Sequence, residues 1–192
     1  PLVLIGRSEP GADHVNTDNA GAVERAARLF HALGRRRFGL VGARHATPSV
    51  VEREGAFRAA AEALDRPVVT ARGVDSTYES GAEAAEAILE EPTLPDAVFC
   101  VNDLIALGFM DAIRRRGLRV PEDIAVIGFD DIPESAWDSY ALTTFRQDPA
   151  RMAAEAIGLL ERRREFPRSS PVTIRVEAPL VLRRSCPAPL SS

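Results

Sequence analysis

The stretch Val120–Asp131, which reads VPEDIAVIGFDD, decides the fold of this chain. Pro121 fixes φ and has no N–H to donate, so it belongs before a strand rather than inside one. Residues 124–127 are all apolar, without alternation, which is typical of a parallel strand covered on both faces. Asp130 and Asp131 follow its carboxyl end, where open parallel sheets bind ligands. The stretch therefore predicts a central strand that delivers acidic groups to a site.

Strand and helix patterns alternate along the rest of the chain. The predicted strands cover 2–5, 38–41, 67–71, 95–101, 124–127, 142–145, 172–176 and 180–182. The predicted helices cover 20–33, 48–64, 77–90, 103–117 and 149–164, and Thr47, Ser76, Asn102 and Asp148 are their candidate caps. This alternation predicts an α/β fold in which helices cover both faces of a parallel sheet, a three-layer αβα arrangement.

The composition is that of an ordinary globular protein. The 192 residues are 45% hydrophobic and 27% charged, so a core can form without disulfides, and the two cysteines suggest no disulfide framework. The formal net charge of −4 gives the chain no nucleic-acid footprint. No apolar stretch is long enough to span a membrane, and no signal peptide is visible, so we expect a cytoplasmic protein.

Polar side chains follow four successive predicted strands. In chain order they are Ser49 and Arg53, then Ser76, then Asn102, then Asp130 and Asp131. Right-handed crossovers keep parallel strands aligned, so these side chains are expected at one edge of the sheet. Such donors and acceptors suit a polyol or another small polar molecule. Plainer roles stay open: Ser76 and Asn102 as helix caps, Arg53 as a solvated side chain, and Asp131 as an acceptor of backbone donors.

Common catalytic motifs are absent from the sequence. It contains no G-x-S-x-G elbow, no phosphate-binding G-x-x-x-x-G-K-[ST] loop, no H-E-x-x-H pair and no G-x-G-x-x-G. The three histidines lack metal-ligand spacing. We therefore predict no catalytic residue, metal or cofactor. An unrecognised α/β enzyme that uses Asp130 and Asp131 remains an alternative.

The sequence resembles the lactose-repressor (LacI/GalR) family of transcription regulators over essentially its whole length. The similar segments, in the family's order, are VNTDN at 15–19, Arg53 with GAF at 55–57, AVFCVND at 97–103, ALG at 106–108, VPEDIAVIGFDD at 120–131, LTTFRQ at 142–147 and PLVLRRS at 179–185. The resemblance implies an effector-binding domain of the periplasmic-binding-protein type I fold. In that fold two α/β lobes enclose a small ligand.

The resemblance also implies roles for single residues. Arg53, Asn102 and Asp130 occupy positions where the family contacts its effector, and Asp18 and Gln147 fall near the cleft, close to a crossing between lobes. Ser76 stands where relatives often carry an aromatic side chain, so a stacking platform is missing. The 43–51 loop departs from the family pattern, which weakens the assignment of Ser49.

The same comparison predicts the domain organisation. Residues 37–145 and 177–185 are expected to form a complete C-terminal lobe, 1–36 and 146–176 part of the N-terminal lobe, and 186–192 a frayed tail. Family members begin with a helix-turn-helix that this chain does not contain, so operator DNA is expected to be bound only through that missing segment.

Dimerisation is expected from the family and from one helix. Residues 104–113 are apolar nearly all round, and Trp137 is predicted to join their surface, with burial under the following loop as the alternative. The sequence thus predicts the effector-binding and dimerisation part of a LacI-type regulator, with a sugar-like ligand and a homodimer. A sugar-binding protein of a transport system with the same fold is the alternative.

Overall fold

A four-stranded parallel sheet forms the centre of the larger of two lobes in the computed structural model, which describes residues 1–189. The strands lie in the order β4-β3-β5-β6. They are β3 (Phe38–Ala43), β4 (Val68–Gly73), β5 (Ala97–Cys100) and β6 (Ala125–Ile127). The strand predicted to be central, β6, lies at one edge of the four. Its free side is covered by the 143–146 segment through single bridges, Ile127 to Thr143 and Asp130 to Arg146.

Four helices cover the two faces of this sheet. They are α1 (Asn19–Ala32), α2 (Pro48–Ala63), α3 (Tyr78–Leu89) and α4 (Asp103–Arg115). Helices α1 and α2 meet the face that carries Phe38 and Phe99, and the rings of Phe57 and Phe99 stack with centroids 5.2 Å apart. Helices α3 and α4 pack together on the other face. The three-layer αβα prediction is confirmed.

Helices α3 and α4 approach each other at two glycines. A Cβ on Gly108 would lie 1.9 Å from the carbonyl oxygen of Tyr78, and one on Gly81 would lie 2.1 Å from that of Ile105. Only residues without a side chain allow backbones to come this close. The crossing is therefore fixed by these two positions.

This crossing changes the interpretation of the apolar helix α4. Its side chains Ile105, Phe109 and Met110 are fully buried within the chain, although an uncovered apolar face was predicted for dimerisation. Leu104 and Trp137 keep 43% and 57% of their surface exposed. The sheet and α3 account for the burial of the rest of the helix.

The smaller lobe has its own sheet and core. Its parallel strands β1 (Val3–Ile5), β2 (Asp13–Thr17) and β8 (Thr173–Val176) lie in the order β1-β2-β8, and α5 (Pro149–Glu165) packs on them. The core is formed by Val15, Met152, Ala156, Leu159 and Val176. Strand β2 was not predicted, because its sequence DHVNT contains a single apolar residue.

The packing moves one predicted lobe boundary. The buried face of α1, which includes Ala22, Val23 and Phe30, belongs to the core of the larger lobe. Residues 19–36 were assigned to the smaller lobe in the sequence prediction. The predicted boundary after residue 36 therefore lies one helix too far along the chain. The chain instead crosses between the lobes after β2, before α5 and after β8.

A short two-stranded ladder completes the larger lobe. It joins β7 (Thr144–Phe145) to β9 (Leu180–Val181) in antiparallel fashion, and a 3₁₀ helix, Pro133–Ala136, precedes it. Cys186 was predicted to begin a frayed tail, but it is fully buried and its carbonyl accepts a hydrogen bond from the Thr143 hydroxyl. Residues 190–192 of that predicted tail lie outside the described residues. Within residues 1–189, none of the helices combines the length and the apolar character that crossing a membrane requires.

Candidate ligand-binding cleft

A polar cavity of about 300 Å³ lies between the two lobes. The smaller lobe contributes the loop after β1 and the ends of β2 and β8, with Arg7, Ser8, Asn16, Thr17 and Arg175. The larger lobe contributes the starts of α1 and α2, with Asn19, Ser49, Glu52 and Arg53, and the crossover contributes Gln147. Because parallel strands end at a shared edge, both sheets turn their carboxyl ends toward this space.

Arg53 is the most buried charged side chain that lines the cleft. Its side chain is 5% exposed, Nε donates to Asn19 Oδ1 at 2.8 Å, and Nη1 donates to the Val101 carbonyl at 2.9 Å. The guanidinium lies over the Phe129 ring, 3.6 Å from its centroid. Burial lowers the pKa of Arg53, and the nearby carboxylate of Asp130 opposes that effect. The result is a cation of fixed position at the carboxyl end of the larger sheet.

Asp130 joins Arg53 to the crossover between the lobes. Its Oδ1 lies 3.5 Å from Arg53 Nη1 and accepts a hydrogen bond from Gln147 Nε2 at 2.6 Å. Gln147 Oε1 in turn accepts from the Thr17 hydroxyl at 2.9 Å. Burial raises the pKa of Asp130 to about 6, although the charge of Arg53 acts in the opposite direction. These contacts form a polar relay from β2 of the smaller lobe to the larger lobe.

The backbone of this turn lies in a sparsely populated region. Asp130 has φ +122° and Asp131 has φ +57°, values that cost free energy for residues with a side chain. The Asp131 carboxylate accepts from Arg146 Nε at 2.6 Å and from Arg183 Nη2 at 2.7 Å. Burial alone would raise the pKa of Asp131, but these two cations outweigh it and lower the pKa. Asp131 thus anchors the turn, and Asp130 faces the cleft residues.

A second polar contact bridges the lobes. Glu52 of α2 accepts from Arg175 Nη1 of β8 at 2.9 Å and from Asn19 Nδ2 at 2.8 Å. The sequence did not single out these three residues. Asn19 follows β2, and Arg175 lies on β8, which pairs with β2. Because β2 was not recognised as a strand in the sequence, its carboxyl end was not predicted to contribute to a site.

The candidate residues separate into two groups. Arg53, Gln147 and Ser49 line the cavity, and Asp130 contacts Arg53 and Gln147 without lining it. Asn102 does not line it. Its Oδ1 caps α4 by accepting from the Ile105 amide at 2.8 Å, and its Nδ2 donates to the Ser76 carbonyl at 3.2 Å.

Two further candidates also have structural roles outside the cavity. Asp18 caps α1 by accepting from the Gly21 amide at 3.1 Å. Ser76 was a candidate cap of α3, but the cap is Thr77, whose hydroxyl accepts from the Ser80 amide at 3.3 Å. The capping prediction was therefore wrong by one residue. Neither Asp18 nor Ser76 lines the cavity between the lobes.

Two lobes around a polar cavity define a small-molecule-binding domain, and the comparisons with known proteins agree. The family described as periplasmic binding protein-like domain matches residues 27–186. The HTH-type transcriptional repressor PurR of Pasteurella multocida is 45% identical over 107 residues, 56% of this chain and 32% of that protein. The repressor CytR of Escherichia coli K12 is 33% identical over 168 residues, 83% of this chain and 48% of that protein. The chain thus spans about a third to a half of these curated relatives.

Solved structures give the same assignment. A LacI transcriptional regulator from a Rhodococcus species matches with a TM-score of 0.84 and 30% identity, covering 98% of this chain and 70% of that one. A complex of the regulator CelR with cellobiose matches with a TM-score of 0.84 and 31% identity, covering 96% and 58%. The chain belongs to the LacI family of transcriptional regulators, in its periplasmic-binding-protein-like domain. A dimeric Lac repressor, with a TM-score of 0.87 and 24% identity, shares the fold.

Proposed function

We propose that this chain is the effector-binding part of a LacI-family transcriptional regulator, and that a small polar molecule binds between its lobes. The observation that carries the proposal is Arg53, a buried guanidinium fixed by Asn19, Val101 and Asp130 at the wall of an inter-lobe cavity. A buried cation with unused N–H groups is suited to bind hydroxyl or anionic oxygens of a ligand.

The two polar bridges explain how a ligand acts on the regulator. A ligand shifts a conformational equilibrium only through different affinities for the two states. Thr17, Gln147 and Asp130 form one link between the lobes, and Glu52 and Arg175 form the other. A ligand that contacts these groups changes the relative stability of open and closed lobes.

The sugar-like character of the effector is supported by the donors and acceptors of the cleft. Its lining side chains offer amide, hydroxyl, guanidinium and carboxylate groups, which match a polyhydroxylated molecule. Among solved relatives, CelR holds cellobiose, and a LacI-family regulator from Enterococcus faecium that shares the fold holds ribose. The effector of this chain is proposed on the chemistry of its own cleft.

The remaining parts of the function are proposed from the relatives. Operator DNA is bound through a helix-turn-helix outside this chain, and two copies form a homodimer that covers Leu104 and Trp137. The alternative of a transport protein has less support, because the curated relatives are named as repressors. The enzyme alternative would use Asp130 and Asp131, and it has less support because the Asp131 carboxylate is engaged by two arginines; turnover of a bound ligand would revive it.

Calorimetric titration of this chain with a panel of sugars and nucleosides tests the site. We expect binding of at least one member, lost in Arg53→Gln and in Asp130→Asn. Arg58→Gln, on the same helix but paired with Glu54 and 40% exposed, is the matched control and keeps the affinity. Circular dichroism verifies that each variant is folded. Unchanged affinity in both cleft variants would remove the assignment.

A further inference from the structure

We infer that the effector carries a negatively charged group, a phosphate or a carboxylate, which Arg7 and Arg175 bind at the smaller-lobe side of the cleft. This inference rests on the proposed function and specifies the ligand class of the same site. It follows from the charge balance, the lining and the strand register of the cleft, taken in turn.

The charge balance of the cleft is positive. Three arginines and one glutamate line it. Asp130 balances Arg53, and Glu52 balances Arg175. Arg7 forms no ion pair or side-chain hydrogen bond with any of residues 1–189, so the residues that line the cavity carry an excess of unpaired positive charge. In a chain with a formal net charge of −4, this local excess favours an anion in the cleft.

Most residues that line the cavity have polar or charged side chains. Ligand pockets are usually lined mainly by hydrophobic and aromatic side chains. Apart from Pro48 and Gly6, the side chains of residues 1–189 that line this cavity are polar or charged, and none of them is aromatic. Hydrogen-bonding and charged groups are therefore available to a ligand along most of the lining. Charge-assisted bonds from arginine to phosphate or carboxylate are the strongest of this kind.

The strand register places the two arginines at one edge. Asn16 of β2 is the register partner of Arg175 on β8. The Asn16 amide also donates to the Ser8 hydroxyl at 2.8 Å, which ties down the loop that carries Arg7. The two guanidinium-bearing positions thus flank Asn16 at the carboxyl edge of the smaller sheet. Arg53 stands on the opposite wall, where it is free to bind the uncharged part of the same ligand.

The anionic group would also act on the bridge between the lobes. Arg175 donates to Glu52 across the cleft at 2.9 Å. A phosphate or carboxylate bound to Arg175 competes with the Glu52 carboxylate for the same N–H groups. Binding of the anion therefore exchanges an inter-lobe ion pair for a ligand contact.

Matched ligands test the inference on the whole chain. Ribose is compared with ribose 5-phosphate, and glucose is compared with glucose 6-phosphate and with glucuronate. Inorganic phosphate is the probe for the anion alone. We expect at least one charged member to bind about tenfold or more tightly than its neutral match, as charge-assisted hydrogen bonds allow. That preference is lost in Arg7→Gln and reduced in Arg175→Gln. Arg168→Gln, an exposed arginine outside the cleft, keeps it.

The results separate this inference from the proposed function. A panel in which no charged member binds more tightly than its neutral match overturns the inference. An unchanged preference in Arg7→Gln also overturns it, as does inorganic phosphate that binds as tightly as the sugar phosphate. A neutral sugar whose binding depends on Arg53 but not on Arg7 upholds the proposed function and overturns the anionic effector.

Discussion

At the residue scale, Asp130 is a carboxylate that is kept buried beside a cation. Its pKa is raised by burial from the ordinary 3.8 to about 6. The folded chain therefore binds this proton more tightly than the unfolded chain. The contribution of this protonated carboxyl to the unfolding free energy is fully present below pH 3.8 and is lost as the pH rises through about 6.

We expect Asp130→Asn to remove this pH dependence. Between about pH 4 and pH 7 the wild type should lose on the order of 2 kcal/mol of unfolding free energy that the variant keeps, since one pKa unit corresponds to about 1.4 kcal/mol. Urea unfolding at both pH values measures the difference. Asp131→Asn is a control of opposite sign: the pKa of Asp131 is lowered, so its stabilisation is lost as the pH falls. Identical pH profiles for wild type and Asp130→Asn would contradict the expectation.

Residue types and positions after strands were enough to predict Arg53 and Asp130, and the family resemblance added Gln147; Asp130 contacts both of the others in the structure. Residue types and positions could not decide whether Asn102 caps a helix or contacts a ligand, because the amide oxygen that caps a helix is the same atom that would contact a ligand. Arg175 was missed for a different reason. It becomes a cleft residue only through its pairing with a strand that is too polar to recognise.

At the element scale, the crossing of α3 and α4 depends on two glycines. Gly108→Ala places a Cβ 1.9 Å from a backbone oxygen, and backbone cannot yield as a flexible side chain does. We expect a loss of about 3 kcal/mol or more in unfolding free energy. Gly158→Ala on α5, where nothing lies within 4 Å, is the control and should stabilise by about 0.5–1 kcal/mol. Equal effects in chemical denaturation would show that the helices are not in such close contact.

Periodicity predicted the α helices and the strands of the larger sheet because their apolar residues are numerous. It failed for β2, where DHVNT presents one apolar side chain to a small core. The assignment of α1 to a lobe failed for a related reason. An amphipathic pattern shows that a face is buried, but the sheet that buries it is decided by tertiary packing.

At the scale of the whole molecule, Glu52 and Arg175 join the lobes across the cleft. Their side chains are 34% and 52% exposed, so solvent screens the pair. A double-mutant cycle with Glu52→Gln and Arg175→Gln should give a coupling of about 0.5–1 kcal/mol at low salt. The coupling should vanish near 1 M salt, where the Debye length is about 3 Å. Strictly additive single mutants at low salt would mean that the bridge is not formed in solution.

The Thr17–Gln147–Asp130 relay is the second connection on this scale. Thr17→Val keeps the shape of the side chain and removes the hydroxyl that orients the Gln147 amide. We expect a loss of about 1 kcal/mol in unfolding free energy and a weaker response of the lobes to ligand. Small-angle scattering with and without the effector measures that response. A variant with the wild-type change in radius of gyration would exclude the relay from lobe coupling.

Both native thiols are shielded inside the larger lobe. Cys100 and Cys186 are fully buried, and burial raises the pKa of Cys186 to about 12 and that of Cys100 well above its ordinary range. Since the thiolate is the reactive species, maleimide dyes should leave the native chain unlabelled. A single Ser8→Cys replacement would then offer one accessible attachment point at the cleft, and fluorescence from a dye there could report effector arrival without prior removal of the native cysteines.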